Sequence, residues 1–317
     1  MQTAKKKSKE LIYGCMHLGG GWDDTPITPE DERIAETAVY TALESGIRIF
    51  DHADIYTRGK AQIVFGRLLK RDTDLRKKII IQSKTGIVLG GHQGGNIYNL
   101  NKQYIIQQVE KILEQLQTDH LDVLLLHRPD VLMQPEVLAE TFAELQAAGL
   151  VKEFGASNMA AYQIHAIRHF WKSPFITNQI QLSLNHANVL WNHANVNTQN
   201  QIPNDADDLI HDAIMEGYTI QAWGALDRGK FTTGIQDTHT ESEKQTIHFI
   251  HQLSEKYASN PHAIVLAWLF KIPGNIQPVI GSTKRERIAA ASDSLRIELT
   301  HEEWYRLWLT AIDKKLP

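Results

Sequence analysis

Four side chains, Asp51, Tyr56, Lys84 and His127, fall at or just beyond the ends of short apolar runs of strand character. A tyrosine has an unperturbed pKa of about 10 and gives up its proton reluctantly at neutral pH. A neighbouring ammonium favours the phenolate and lowers that pKa, and Lys84 can supply one. A lysine buried at a strand end is costly unless paired, and Asp51 is the obvious partner. His127 could donate a hydrogen bond to a substrate carbonyl oxygen and orient it. The set predicts general acid catalysis, in which negative charge developing on a carbonyl oxygen is met by the Tyr56 proton. Singly, each residue has an ordinary role: an Asp after a strand caps a helix, a loop Tyr packs, and a strand-end His is satisfied in the core. Together, at the ends of neighbouring strands, they make those ordinary roles a poor account.

Other chemistries compete for the same residues. Lys84 could be a Schiff-base nucleophile, as in barrel aldolases. Such a lysine works better uncharged, and Asp51 would oppose that. His165 and His169 lie four apart on a predicted helix, and His248 and His251 three apart. Neither pair carries the further ligand that a zinc site needs, so no metal is expected.

The elements that must position the four groups are legible as alternating strand and helix patterns. Eight β-rich runs recur: Leu11–Met16, Arg48–Ala53, Ile79–Thr85, Leu121–His127, Val151–Ser157, Asn178–Leu184, Tyr218–Ala225 and Pro278–Ser282. Several are almost purely apolar, such as Val123-Leu124-Leu125-Leu126, as strands covered on both faces are. Helices fit between them. Thr28 caps one that opens with Pro29, Glu30 and Asp31; Asn260-Pro261 opens another; Thr300 to Glu303 has the capping-box form. Ile105, Val109, Ile112, Leu113 and Leu116 form a helical stripe.

This alternation, without a long linker, predicts an α/β fold: a parallel sheet closed into a (β/α)8 TIM barrel, as one domain over residues 1–317. No glycine cluster has G-x-G-x-x-G spacing, so a dinucleotide would not bind by the Rossmann device. Residues 185–208, rich in Asn, Gln and His, are expected to form a long loop after the sixth strand. Functional residues of such a barrel gather at the carboxyl ends of its strands. That rule adds Ser157 and Asn158 at the end of the fifth strand and Gln179, nearer the start of the sixth.

Composition narrows the partners. The 317 residues carry a formal net charge of −4 with both signs dispersed, which argues against nucleic acid. One cysteine, Cys15, permits no internal disulfide and points to a reducing, cytoplasmic setting. The basic run Lys5 to Lys9 reads as a solvated tail, and no apolar stretch is long enough for a membrane span. Nothing in the sequence marks an oligomeric face.

The segment Gly46-Ile47-Arg48-Ile49-Phe50-Asp51-His52-Ala53-Asp54-Ile55-Tyr56 is similar to the G-x-x-x-x-D-x-A-x-x-Y signature of the aldo-keto reductases. The resemblance runs in order from about Leu11 to Leu295, through Ser83-Lys84-Thr85, Leu126-His127-Arg128-Pro129-Asp130, Gly155-Ala156-Ser157-Asn158, Asn178-Gln179 and Ile280-Gly281-Ser282-Thr283-Lys284 with Arg287. It implies an NAD(P)H-dependent reductase of small carbonyl substrates with Asp51, Tyr56, Lys84 and His127 as its tetrad. It implies further that Ser157, Asn158 and Gln179 hold the nicotinamide carboxamide and that Trp223 stacks on the ring. Gly14, Cys15 and Met16 would lie over the ring. Gly224, Leu226, Gly281, Ser282, Lys284 and Arg287 would take the phosphates and adenosine. Many relatives carry a lysine where Gly281 stands, which weakens NADPH over NADH; Lys284 and Arg287 keep NADPH the preferred expectation. Trp22, His52, Tyr98 and the 185–208 stretch are candidates for the substrate pocket. Some barrels of the family resemble slow, cofactor-binding regulatory subunits, a further alternative.

Overall fold

The structure is a computed structural model that describes residues 9–194 and 208–316. Eight parallel strands close into a barrel in sequence order: β1 (Ile12–Gly14), β2 (Ile49–Asp51), β3 (Ile80–Thr85), β4 (Leu121–Leu126), β5 (Val151–Ser157), β6 (Phe175–Gln181), β7 (Thr219–Trp223) and β8 (Ile276–Ile280). Pairing of β8 with β1 closes the ring. Helices flank it, beginning with α1 (Pro29–Glu44), α2 (Lys60–Arg71), α3 (Lys102–Leu116), α4 (Pro135–Ala147) and α5 (Ala161–Phe170). A small antiparallel hairpin, Ile87–Val88 with Ile97–Tyr98, stands outside the barrel after β3. Among the described residues no helix is long and apolar enough to cross a membrane.

Local chemistry explains the helix boundaries. Thr28 accepts from the Asp31 backbone N–H while the Asp31 carboxylate accepts from the Thr28 backbone N–H, a reciprocal cap that satisfies donors otherwise stranded at the start of α1. The stripe on α3 is buried along its length, from Ile105 to Leu116. Thr300 and Glu303 cap the last long helix, His301–Ala311, in the same way as Thr28 and Asp31.

The sixth strand departs from its expected range. It runs Phe175–Gln181 rather than Asn178–Leu184, so Gln179 stands near its carboxyl end and not its start. Leu182 and Leu184 are buried and look strand-like in sequence, but Ser183 and His186 exchange backbone hydrogen bonds at 3.1 Å in a tight turn that stops the ladder. The expected loop at 185–208 is also partly wrong. A helix, Asn188–Ala194, opens within it, and buried Trp191 sets its edge against Trp308, with ring centroids 5.9 Å apart. Residues 195–207 of that stretch lie outside the described residues. Of the lysine run, Lys5 to Lys7 also lie outside. Lys9 is no solvated tail residue: its ammonium donates to Ile297 O and pairs with Glu298 at 2.9 Å.

One irregularity matters for the site. Between β5 and β6, Phe154 pairs with Phe175 but Ala156 pairs with Asn178, so β6 carries an extra residue there. That bulge places Gln179, not Asn178, opposite Ser157. Gly155 lies at the bulge because the backbones crowd: a Cβ on it would stand 2.6 Å from Leu125 Cδ2 and 2.7 Å from Thr177 O. Gly155→Ala is therefore expected to lower the unfolding free energy by about 1–3 kcal/mol through overpacking, read from the urea midpoint. An unchanged midpoint would show that the bulge relaxes freely.

Candidate active site

The carboxyl ends of β2, β3 and β4 bring the four groups of the sequence analysis together. Asp51 closes β2, Lys84 is the penultimate residue of β3, and His127 directly follows β4, its N–H bonded to Thr85 O at 2.8 Å. Tyr56 opens a single tight turn, Tyr56–Gly59, whose next residues Thr57 and Arg58 adopt left-handed φ values of 46° and 58°. A β-branched residue rarely sits there. The Thr57 hydroxyl holds the turn by donating to Leu18 O at 3.0 Å.

Lys84 Nζ is the hub. It donates to Asp51 Oδ1 and Oδ2 at 2.8 and 2.7 Å, to His52 O at 2.8 Å and to Tyr56 Oη at 3.0 Å. Both members of the ion pair are buried. Burial alone would lower the Lys84 pKa, but Asp51 and Tyr56 outweigh it and hold the ammonium charged. Because Tyr56 Oη accepts from Lys84, the phenol's own proton is directed elsewhere. Burial pushes the Tyr56 pKa up, and Lys84 offsets this only in part. This corrects the sequence expectation of a net lowering: removing the phenolate from water outweighs one ammonium that is itself neutralised by Asp51. His127 stands edge-on to Tyr56, with centroids 6.2 Å apart, and burial together with Lys84 and Arg128 keeps it neutral.

The next three strands supply an ordered set of amides. Ser157 Oγ donates to Gln179 O at 3.0 Å, Asn158 Nδ2 to Ser157 Oγ at 2.8 Å, and Trp223 Nε1 to Asn158 Oδ1 at 3.0 Å. The Trp223 indole is thereby fixed at the exit of β7, half-buried, with the Arg128 guanidinium 5.9 Å from its ring centroid. Asn158 itself has a left-handed φ of 57°.

Comparison with known proteins agrees with this geometry. The profile of the aldo/keto reductase family matches residues 10–308. The chain belongs to the aldo-keto reductase family. It is 33% identical over 281 residues to an uncharacterised oxidoreductase, YcsN, of Bacillus subtilis (strain 168), with 87% of each chain covered. To a 6-dehydroglucose reductase of Agrobacterium fabrum it is 29% identical over 316 residues, covering 98% of this chain and 97% of the relative. A solved aldo-keto reductase from Klebsiella pneumoniae, in complex with NADPH, superposes with a TM-score of 0.70 at 20% identity, covering 95% of this chain and 94% of the other. The chain is thus an NAD(P)H-dependent oxidoreductase of a family that acts on carbonyl substrates.

The remaining expected coenzyme residues of this aldo-keto reductase line the mouth from β7 round to β1. Gly224, exposed with φ 66°, and half-buried Leu226 follow β7. Gly281 and Ser282 leave β8 beside Gly14: a Cβ on Gly281 would stand 3.6 Å from Gly14 O, and Tyr13 donates to Ser282 O at 3.1 Å. Lys284 and Arg287 are exposed, and among the described residues neither pairs with a carboxylate. Met16 is exposed, whereas Cys15 is fully buried, so a ligand at that loop would meet Met16 rather than the Cys15 thiol. The fixed indole, the amide row and the free cations fit a dinucleotide.

Among the pocket candidates, His52 does not reach the mouth. As the neighbour of inward-facing Asp51 it faces outward and packs edge-on against Phe65 at 4.6 Å, and burial drops its pKa to about 3. Exposed Trp22 instead sets its ring against Tyr56 at 6.5 Å, and Tyr98 is exposed on the hairpin. His165 pairs with Asp212 at 2.7 Å rather than with His169. Two buried glutamines escaped the sequence reading. Gln82 and Gln221 each stand two residues before a site residue, Lys84 and Trp223, and so share its face of the strand. That inward amide in an apolar strand was the available signal.

Asp54 gives the site a pH signature. Burial raises its pKa to about 6, against the pull of the Thr85 hydroxyl, the Ile55 N–H, Lys111 and Lys84. A carboxyl with its folded pKa above its unfolded value binds its proton more tightly when folded, so its contribution to stability is largest at low pH and is lost as pH rises through about 6. Asp54→Asn should therefore gain stability on the parent between about pH 4.5 and about pH 8, by about 2 kcal/mol in urea unfolding. The same difference at both pH values would show that Asp54 is not raised.

Proposed function

We propose that the chain reduces an aldehyde or ketone to the alcohol using NADPH, with Tyr56 as proton donor and Asp51, Lys84 and His127 in support. The observation that carries this reading is Lys84 Nζ, held charged by Asp51 and 3.0 Å from Tyr56 Oη. The bound reduced nicotinamide supplies the hydride. As charge develops on the substrate oxygen, Tyr56 delivers its proton and the adjacent ammonium steadies the phenolate left behind. A raised phenol pKa is no obstacle. An alkoxide is about as basic as hydroxide, whose conjugate acid has a pKa of about 15.7, so the transfer still runs downhill.

His127 Nδ1 is buried without a partner among the described residues. A stranded N–H is the rarer and costlier arrangement, so Nδ1 keeps its lone pair and Nε2 carries the proton, ready to donate to the carbonyl oxygen. In this reading Ser157, Asn158 and Gln179 hold the carboxamide and Trp223 supports the ring, with Gly14, Cys15 and Met16 beside them. Gly224, Leu226, Gly281 and Ser282 line the way to the adenosine end. Lys284 and Arg287 favour NADPH, since two uncommitted cations suit a 2′-phosphate. The Schiff-base alternative is disfavoured by the charge that Asp51 imposes on Lys84.

Tyr56→Phe is expected to lower kcat/KM for aldehyde reduction by about 10²–10⁴-fold while leaving coenzyme affinity, followed by fluorescence quenching, unchanged. Near-normal turnover would remove Tyr56 from the role of acid. Arg287→Ala should weaken NADPH by about tenfold and NADH far less, the size of one lost charge-assisted hydrogen bond. Equal losses would mean that Arg287 does not read the 2′-phosphate.

A further inference from the structure

Three buried glutamines run across the barrel interior from the ion pair to the amide row. They are Gln82 on β3, Gln221 on β7 and Gln179 on β6, exposed by 1%, 3% and 2%. Gln82 Nε2 donates to Asp51 Oδ1 at 2.5 Å and to Gln221 Oε1 at 2.8 Å. Gln221 Nε2 returns a bond to Gln82 Oε1 at 2.9 Å, and Gln179 Nε2 donates to Gln221 Oε1 at 2.9 Å.

The sense of the whole chain follows from its one charged end. Asp51, ionised beside Lys84, only accepts, so Gln82 must turn its amide nitrogen towards it. Gln82 Oε1 then needs a donor, which among the described residues only the nitrogen of Gln221 provides. Gln221 is left to present its oxygen, and that oxygen binds the nitrogen of Gln179. A single carboxylate on β2 thus sets the orientation of three amides on three other strands. Gln179 Oε1 accepts no hydrogen bond among the described residues, and it is the amide atom left over for a ligand.

We propose that Gln82 and Gln221 are positioning residues. They transmit the polarity of the Asp51 carboxylate to Gln179, so that Gln179 meets the coenzyme as an acceptor and selects the N–H2 of the nicotinamide carboxamide. The inference rests on the coenzyme reading above. Were the bridge cut at Gln221, the Gln179 amide would be free to turn over and would offer donor and acceptor alike.

The 3-acetylpyridine analogue of NADPH tests this, because its methyl ketone replaces the carboxamide N–H2 and cannot donate. Affinities of NADPH and the analogue are measured by Trp fluorescence for the parent and for Gln221→Met, which nearly conserves volume. The parent should prefer NADPH by about tenfold, one oriented hydrogen bond, and Gln221→Met should erase that preference. A merely structural role would weaken both coenzymes equally and leave their ratio intact, which would overturn the proposal. So would a parent with no preference. Should Gln221→Met not fold, Gln82→Met, which removes the carboxylate-oriented end, must lose the preference in the same way. If the parent binds neither NADPH nor NADH, the coenzyme reading fails; if it binds and reduces carbonyls yet the ratio persists in the variants, only the bridge fails.

Discussion

The buried pair of Lys84 and Asp51 is the constraint around which the rest of the site is arranged. An ammonium and a carboxylate taken out of water each carry a penalty of several kcal/mol, which their attraction repays only if the remaining donors and acceptors are satisfied. Here they are. The ammonium reaches Asp51, His52 O and Tyr56 Oη, and the carboxylate also accepts from Gln82. Each neighbour that satisfies the pair is fixed by doing so. Tyr56 must present its oxygen to Lys84 and its proton elsewhere, and Gln82 must present its nitrogen to Asp51. The orientation of groups on four strands or strand exits therefore descends from one ion pair.

Holding that arrangement requires local backbone conformations that a relaxed chain avoids. Left-handed residues other than glycine occur at the exits of β2 (Thr57, Arg58), β5 (Asn158) and β7 (Asp227, Arg228). These exits deliver Tyr56, the amide row and the loop after Trp223. The bulge at Gly155 belongs with them, since it sets Gln179 opposite Ser157. Strain of about 1–3 kcal/mol at each such position is tolerable because the closed ring of apolar strands beneath is rigid and buried.

Burial also changes the acid–base character expected from proximity alone. Lys84 pulls Tyr56 towards the phenolate, yet the loss of water around the ring pushes harder, so the phenol holds its proton more tightly than a tyrosine in water does. The same loss of water keeps His127 and His52 neutral, to opposite ends: His127 borders Tyr56 at the mouth, while His52 is spent on packing against Phe65.

By itself the sequence determined the alternation of strands and helices, the caps at Thr28 and Thr300, and the convergence of Asp51, Tyr56, Lys84 and His127. These are local patterns joined by one topological rule, that strand ends of a parallel barrel share a mouth. It did not determine the range of β6 or the side taken by His52. Leu182 and Leu184 are as apolar as strand residues, and only the Ser183–His186 turn ends the ladder. His52 adjoins the tetrad in sequence but is sent to the other face by the period of the strand. Nor did it reveal the glutamine bridge. Gln82, Gln179 and Gln221 are far apart along the chain, and their amides acquire a direction only when the closed barrel brings them into line with a single carboxylate.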